Sequence, residues 1–310
     1  MSRRATFQDG HPLGRCRKAL YHLLSALIAR PRRGGLARRF PFLRPAYYWL
    51  AALLRPGVTQ VGAWTVYFHR GSDPISRFLL LDSTYEPFEL KLIERFLVPG
   101  DCAVDVGANI GIHTLAMSAA CGPTGRVLAL EPDPDNLRLC RRNLAVNGCD
   151  NVELLHAAAS DRPGTLKLFL NNSNKGDHRV YDPGDGRRSL DVVALPLAEV
   201  LADRRLSPKL VKIDVQGWEP KVLGGALRAL RDIHPLVLIT EFWTAGLVAA
   251  GSSAREYLEL IDELQLDLYE IDAWRGVVAP ITPDRSTLLK AERNTNLLGL
   301  RGVPLGSFGE

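Results

Sequence analysis

No stretch of this chain reaches about 18 consecutive apolar residues, which argues against a helix that spans a membrane. The Arg-rich N-terminus also lacks the clean apolar block and small-residue cleavage site of a secretory signal. Its longest apolar stretch, around Leu23–Ala29, is short and interrupted. A cytoplasmic protein is therefore expected. The five cysteines (Cys16, Cys102, Cys121, Cys140 and Cys149) contain no CxxC pair. They read as reduced thiols, small hydrophobes rather than a disulfide framework. With HxxxH spacing absent as well, no sequence pattern names a metal centre. Internal repeats and low-complexity tracts are missing. An apolar fraction of 46% against 24% charged residues fits an ordinary globular core, and 310 residues suffice for one large α/β domain with an extension.

Acidic residues are scarce at one end only. Residues 1–57 hold twelve Lys and Arg against the single acid Asp9, a charge of +11, and the remainder carries −6. A nucleic-acid enzyme more often spreads its basic residues over the body, so no nucleic-acid partner is expected. Within the arm, the clusters Leu20–Ile28 and Tyr47–Leu54 are broken at Pro31, Pro41, Pro45 and Pro56. Two short amphipathic helices would serve either as a cap on the catalytic domain or as a peripheral membrane contact through residues 1–57.

From Val58 the pattern changes. Residues 58–99 read as a small β/α lead-in, with strands at Val58–Val61, Trp64–His69 and Phe78–Leu81 and a helix over Pro87–Leu97. Residues 100–303 then alternate strand and helix: strands at Cys102–Val106, Arg126–Glu131, Val152–Ala157, Leu210–Val215 and Leu236–Glu241, with helices between them. This order predicts an α/β fold, a mostly parallel, doubly wound sheet with helices on both faces. The polar, Gly-rich segment Asn171–Arg188 is long enough to act as a lid or binding loop.

The first strand–turn–helix reads Val104-Asp105-Val106-Gly107-Ala108-Asn109-Ile110-Gly111. A Gly-rich turn here is where doubly wound sheets bind nucleotides. A dinucleotide site wants G-x-G-x-x-G, yet Asn109 occupies the second Gly position. Asp105 would repel a phosphate and suit an ammonium or sulfonium. Both features lean away from NAD and ATP and towards S-adenosylmethionine, which has no phosphate. Glu131 follows Gly111 by 20 residues and ends the second strand, where a carboxylate can accept both ribose hydroxyls. Asp161, after the third strand, can accept from the adenine amine; the alternative is an ordinary Asp-Arg-Pro-Gly turn. Asp105, Gly107, Asn109, Gly111, Glu131 and Asp161 are thus the expected cofactor-binding set.

Three segments together resemble the FkbM family of methyltransferases: Val104–Gly122, Leu128–Gly148 and Leu210–Ala226. The third is the most distinctive, with Lys212, Ile213, Asp214, Val215, Gly217 and Glu219 in the family's order and Gln216 where the family usually has Glu. The resemblance spans roughly residues 86–301 and leaves the basic arm out. It implies a Rossmann-like class I fold, S-adenosylmethionine as donor, and O-methylation of a hydroxyl on a sugar, glycan or secondary metabolite. Rival readings are a methyltransferase acting on nucleic acid or protein, and an NAD-dependent Rossmann enzyme. An amino-methylating DNA enzyme would want an N/D-P-P-Y/F/W motif where Asp214-Val215-Gln216-Gly217 stands.

An alcohol is a poor nucleophile while protonated, so a base within hydrogen-bond reach is expected. Asp214, ending the fourth parallel strand, is the first candidate, and Glu241, ending the next, is the second; both are expected to be catalytic. A divalent metal shared by the two suits carboxylate chemistry, but no ligand spacing calls for one and none is predicted. His113 and His178 could approach the site, the former by shaping the pocket. Trp218 and Trp243 follow the two acid-bearing strands and either stack on a sugar or simply pack. The acceptor's identity and the oligomeric state are not written in the sequence.

Overall fold

The computed structural model describes residues 20, 54–71, 73–282, 284–290 and 292–306. The predicted arm therefore lies outside the described residues except at positions 20 and 54–57, as does Cys16. Among the described residues no helix is long and apolar enough to cross a membrane. The chain divides into two compact units, Met1–Ser83 and Thr84–Glu310.

The first unit holds a hairpin, β1 (Val58–Val61) and β2 (Trp64–Tyr67), paired antiparallel from Val58↔Tyr67 to Val61↔Trp64. It is followed by a helix, α1 (Pro74–Leu81), where a strand is predicted at Phe78–Leu81. The cause is local. Asp73 caps the helix by accepting the Ser76 N–H at 3.1 Å, and Pro74 supplies a pre-set φ in the first turn. A short apolar run such as Phe78-Leu79-Leu80-Leu81 has no period of its own, so the start signal decides.

The second unit opens with α2 (Pro87–Phe96) and then alternates strand and helix. The elements that build its sheet are β3 (Cys102–Val106), α3 (Ile112–Cys121), β4 (Arg126–Leu130), α4 (Pro134–Val146) and β5 (Val152–Leu155). Three shorter strands, β6 (Ala158–Ser160), β7 (Gly164–Phe169) and β8 (Ser189–Pro196), form a separate sheet in the order β6-β8-β7. The main sheet resumes after α5 (Leu197–Arg204) with β9 (Leu210–Ile213), α6 (Glu219–Leu230) and β10 (Leu236–Trp243). Then come α7 (Thr244–Ala249), α8 (Ala254–Asp262), β11 (Asp267–Asp272), β12 (Val277–Pro280) and β13 (Asn294–Arg301).

The eight strands run in the order β12-β11-β13-β10-β9-β3-β4-β5. The five from β10 to β5 are parallel, and β13, β11 and β12 add an antiparallel edge. This is the predicted Rossmann-like class I fold. Strands β3 and β9 are buried at nearly every position, as strands covered by helices on both faces must be. On one face Val104, Val106, Val211 and Ile213 pack with Val222, Leu223 and Ala226 of α6. Burying each such Val or Leu contributes about 1.5–3 kcal/mol. After β3 the chain winds outward through β4 and β5, and then returns to β9 on β3's other side. Strand order thus reverses between β3 and β9, the point at which open α/β sheets bind ligands beyond their C-terminal ends.

Candidate active site

Two turns meet at that reversal. The turn after β3 has Gly107 at φ +87° and Asn109 at φ +51°; the turn after β9 has Gln216 at φ +57° and Gly217 at φ +102°. Non-glycine residues held in the left-handed region are costly and cluster at functional sites. The turns are tied together where the Asp214 N–H donates to Val106 O at 3.1 Å. A Cβ on Gly107 would lie 2.0 Å from the Asp214 carbonyl oxygen, so no other residue fits. Gly111, at φ +90°, starts α3 where a Cβ would lie 2.7 Å from Cys140 Sγ.

Glu131 closes the first turn from below. Its Oε2 accepts the Asn109 N–H at 2.7 Å and its Oε1 accepts the Asp133 N–H at 2.8 Å. The Asn136 side-chain amide bonds the same carboxylate, which leaves it capacity to accept from a ribose hydroxyl. Burial pushes the Glu131 carboxyl up to about 8 against the pull of those N–H bonds. Asp105 is fully enclosed; Oδ2 accepts the Thr114 hydroxyl at 2.6 Å, and Oδ1 has no hydrogen-bond partner among the described residues. A buried carboxylate oxygen left open calls for a cationic donor. The two acids and the glycine therefore fit an amino-acid-bearing nucleoside without phosphate. Asp161 stands apart from them, at the end of β6: its Oδ2 lies 3.3 Å from Lys221 Nζ and its Oδ1 3.5 Å from Arg162 Nε. Despite partial burial these partners hold its carboxyl below the usual range.

The second turn carries the expected catalytic pair. Gln216 Nε2 donates to Asp214 Oδ1 at 3.0 Å and to Glu241 Oε2 at 3.1 Å, so one amide spans both carboxylates. Lys212, fully buried, donates from Nζ to Asp214 Oδ2 at 3.0 Å. Burial pushes the Asp214 carboxyl up, but Lys212 and Gln216 outweigh it and hold the group below its ordinary value. Burial and the neighbouring charges of Asp214 and Glu219 push Glu241 well above it. Two carboxyls in one pocket are thus driven in opposite directions, the pattern that separates acid–base roles. The bridging amide puts N–H donors where a shared metal would need lone pairs. Glu219 fixes the turn itself, accepting the N–H groups of Val215 and Gly217 at 2.9 Å each.

Beside this pair stand Glu86, Glu89 and His113. His113 Nε2 lies 3.2 Å from Glu86 Oε2 and 3.6 Å from Glu89 Oε2. Asn296, the register partner of Glu241, donates its side-chain amide to Glu89. Burial pushes Glu89 up to about 7, with Glu86 adding to it. Lys212 and Gln216 appear in the motif, yet nothing in their spacing reveals the buried ion pair or the bridge. Glu86 and Glu89 carry no signal at all, because they come from a helix that precedes the motif.

Loop 171–188 straps across both turns. The Lys175 carbonyl accepts from the side-chain amides of Asn109 at 3.3 Å and Asn136 at 3.1 Å, and Tyr181 donates its hydroxyl to the Gln216 carbonyl at 2.9 Å. His178 serves the loop rather than the acceptor. Its Nδ1 accepts the Asn171 N–H at 2.9 Å, and its ring is buried against Asp133 at the start of α4. Trp243 is packed on one side by Gly246 and covered by the Arg179 guanidinium 4.8 Å from its ring centroid, which leaves little face for a sugar. Trp218 donates Nε1–H to Ser160 Oγ at 3.3 Å and packs against the core.

The sequence model of one family, the methyltransferase FkbM domain, matches residues 105–271. Among curated proteins the chain is similar to hexuronic acid methyltransferase AglP of Haloferax volcanii, 26% identical over 74% of this chain and 83% of that protein. It is also similar to methyltransferase sdnD of Sordaria araneosa, 29% identical over 56% of this chain and 59% of that one. Among solved structures it resembles the methyltransferase FkbM of Methylobacillus flagellatus, 16% identical with a TM-score of 0.40, covering 91% of this chain and 58% of that one. The family match spans more than half of the sequence and includes both turns: the chain belongs to the FkbM family of methyltransferases, and S-adenosylmethionine is its methyl donor.

Proposed function

We propose that this enzyme methylates a hydroxyl oxygen of a sugar, a glycan or a sugar-like secondary metabolite, with Asp214 and Glu241 as its catalytic residues. The observation that carries the reading is the Gln216 amide spanning an ionised Asp214 and a Glu241 pushed towards its neutral form. The name of one relative, hexuronic acid methyltransferase, supports a sugar acceptor.

S-adenosylmethionine supplies a methyl group already activated for displacement. The chain's own work is to hold the acceptor, keep water away and remove one proton. Asp105, Gly107, Asn109, Gly111 and Glu131 hold the donor, and Asp161, at the end of β6, is assigned to the adenine end. Asp214, kept charged by Lys212, accepts a hydrogen bond from the acceptor hydroxyl and orients it. Glu241, in its ionised form and with a proton affinity raised by burial, takes the proton as the oxygen–carbon bond forms and the carbon–sulfur bond breaks to leave a neutral thioether. Positioned proton transfer of this kind contributes roughly 10²–10⁴-fold. The strap over the turns restricts water at the reacting edge.

The test is transfer of a labelled methyl group from S-adenosylmethionine to a panel of neutral sugars, uronic acids, polyketides, RNA and protein. Label in an ether-linked methyl on a sugar or metabolite, lost in Glu241→Gln, is the expected result. Label only in RNA or protein would overturn the reading.

A further inference from the structure

Five carboxyls, Glu86, Glu89, Asp105, Asp214 and Glu241, converge near a single buried ammonium, Lys212. Buried charge without matching countercharge is costly, and the surplus here is negative. Gln216 satisfies Asp214 and Glu241 and the Thr114 hydroxyl meets Asp105, which leaves Glu86 and Glu89. Into the space between those two points the imidazole of His113, only 7% exposed. Its Nε2 faces the two carboxylates directly, with Glu86 Oε2 at 3.2 Å and Glu89 Oε2 at 3.6 Å.

The spacing is informative. Ligand atoms about 2.1 Å from a tetrahedral cation lie about 3.4 Å from one another. The His113–Glu86 and His113–Glu89 separations, 3.2 and 3.6 Å, fall on either side of that, and all three ligand atoms lie within 4.8 Å of one another. The other oxygen of Glu89 is held by the Asn296 amide, the kind of support that orients a ligating carboxylate.

We propose that Glu86, Glu89 and His113 form a divalent-cation site. An imidazole among the ligands favours Mn²⁺ or Zn²⁺ over Mg²⁺ or Ca²⁺. The ion places positive charge beside the edge where a hydroxyl must lose its proton. The inference depends neither on the acceptor's identity nor on the roles given to Asp214 and Glu241.

The experiment is Mn²⁺ titration of the chelator-treated full-length protein, read by the electron paramagnetic resonance signal of free Mn²⁺, without substrate or turnover. One equivalent is expected to bind, with Zn²⁺ displacing it and Mg²⁺ failing to at equal concentration. His113→Ala and Glu89→Gln should weaken binding about tenfold or more, while Glu241→Gln binds as the parent does. Thermal unfolding and S-adenosylmethionine titration establish that each variant is folded. If His113→Ala does not fold, Glu86→Gln, at the partly exposed start of α2, replaces it. Absence of binding at millimolar Mn²⁺ and Zn²⁺ overturns the proposal and makes the trio an imidazolium held between two acids. So does a folded His113→Ala that binds like the parent, or loss of binding in Glu241→Gln alone.

Discussion

The two turns at the sheet's reversal are close in space and opposite in construction. The turn after β3 is mostly backbone: two glycines, a left-handed Asn109, and N–H groups fastened by Glu131. The turn after β9 is mostly side-chain charge, in which Lys212, Asp214, Gln216 and Glu241 hold one another, with Glu86, Glu89 and His113 alongside. On the proposed assignment the first turn holds the donor and the second faces the acceptor, and a donor shared by a whole class of enzymes can be held by a fixed cradle. An acceptor that differs between relatives needs a set of groups whose proton affinities can be tuned.

The largest expected effect breaks the cradle. Gly107→Ala forces a Cβ to within 2.0 Å of the Asp214 carbonyl at a φ of +87°, so both turns must move. A loss of roughly 3 kcal/mol or more in stability is expected, together with loss of S-adenosylmethionine binding, measured by thermal unfolding and calorimetric titration. Near-parental binding would show that the turns are not locked together. Next comes Asp214→Ala, which leaves the cradle intact. Turnover should fall about 10²–10⁴-fold while S-adenosylmethionine affinity stays within a few fold. Asp105→Ala should do the reverse and lose donor binding first. If both variants lose binding equally, the division of labour fails.

A smaller effect sharpens the comparison within the acceptor turn. Gln216→Glu replaces the amide donor between Asp214 and Glu241 with a third acid. That change removes two hydrogen bonds and adds like charge, so the proton on Glu241 is held more tightly. The acidic limb of the kcat/KM profile should move to higher pH, and activity at neutral pH should drop about tenfold per unit moved. An unmoved profile would mean that Glu241 is not the group being read.

The contrast also explains what the sequence displays. The cradle is legible because backbone geometry dictates residue type: Gly107 cannot be otherwise, and Glu131 sits at a fixed distance along one β-α-β unit. Asp214 and Glu241 are legible as acids ending adjacent parallel strands. Their partners are not. Glu89 lies 152 residues before Glu241 and is brought beside it through Asn296 of an antiparallel edge strand. Lys212 reads as one more residue in a motif until the fold encloses it among five acids. Helix α1 and the strand β6 are hidden for a humbler reason: short apolar runs carry no period, and capping or sheet pairing decides them.

The smallest effect asks whether the cradle carries tunable charge as well. Burial raises Glu131 to about 8, Glu89 to about 7 and Glu219 to about 7, from an ordinary 4.5. Between these limits the folded protein binds more protons than the unfolded chain, so stability falls as pH rises. The contribution is complete below about pH 4.5 and gone once pH passes each folded value. Asp214, shifted the other way, titrates below this window and does not oppose the trend. The donor-free protein should therefore melt lower at pH 8 than at pH 5, by roughly 2–4 °C for each kcal/mol lost. Glu131 contributes slope across the whole window from about pH 4.5 to 8, so Glu131→Gln should lower the slope throughout it, and proportionally most above pH 7, where Glu89 and Glu219 no longer contribute. The slope is the quantity to read, because an amide cannot accept the Asn109 and Asp133 N–H groups with both ends and the whole curve drops. A parental slope above pH 7 in Glu131→Gln would show that the donor cradle is electrically inert and that all the tuning sits at the acceptor turn.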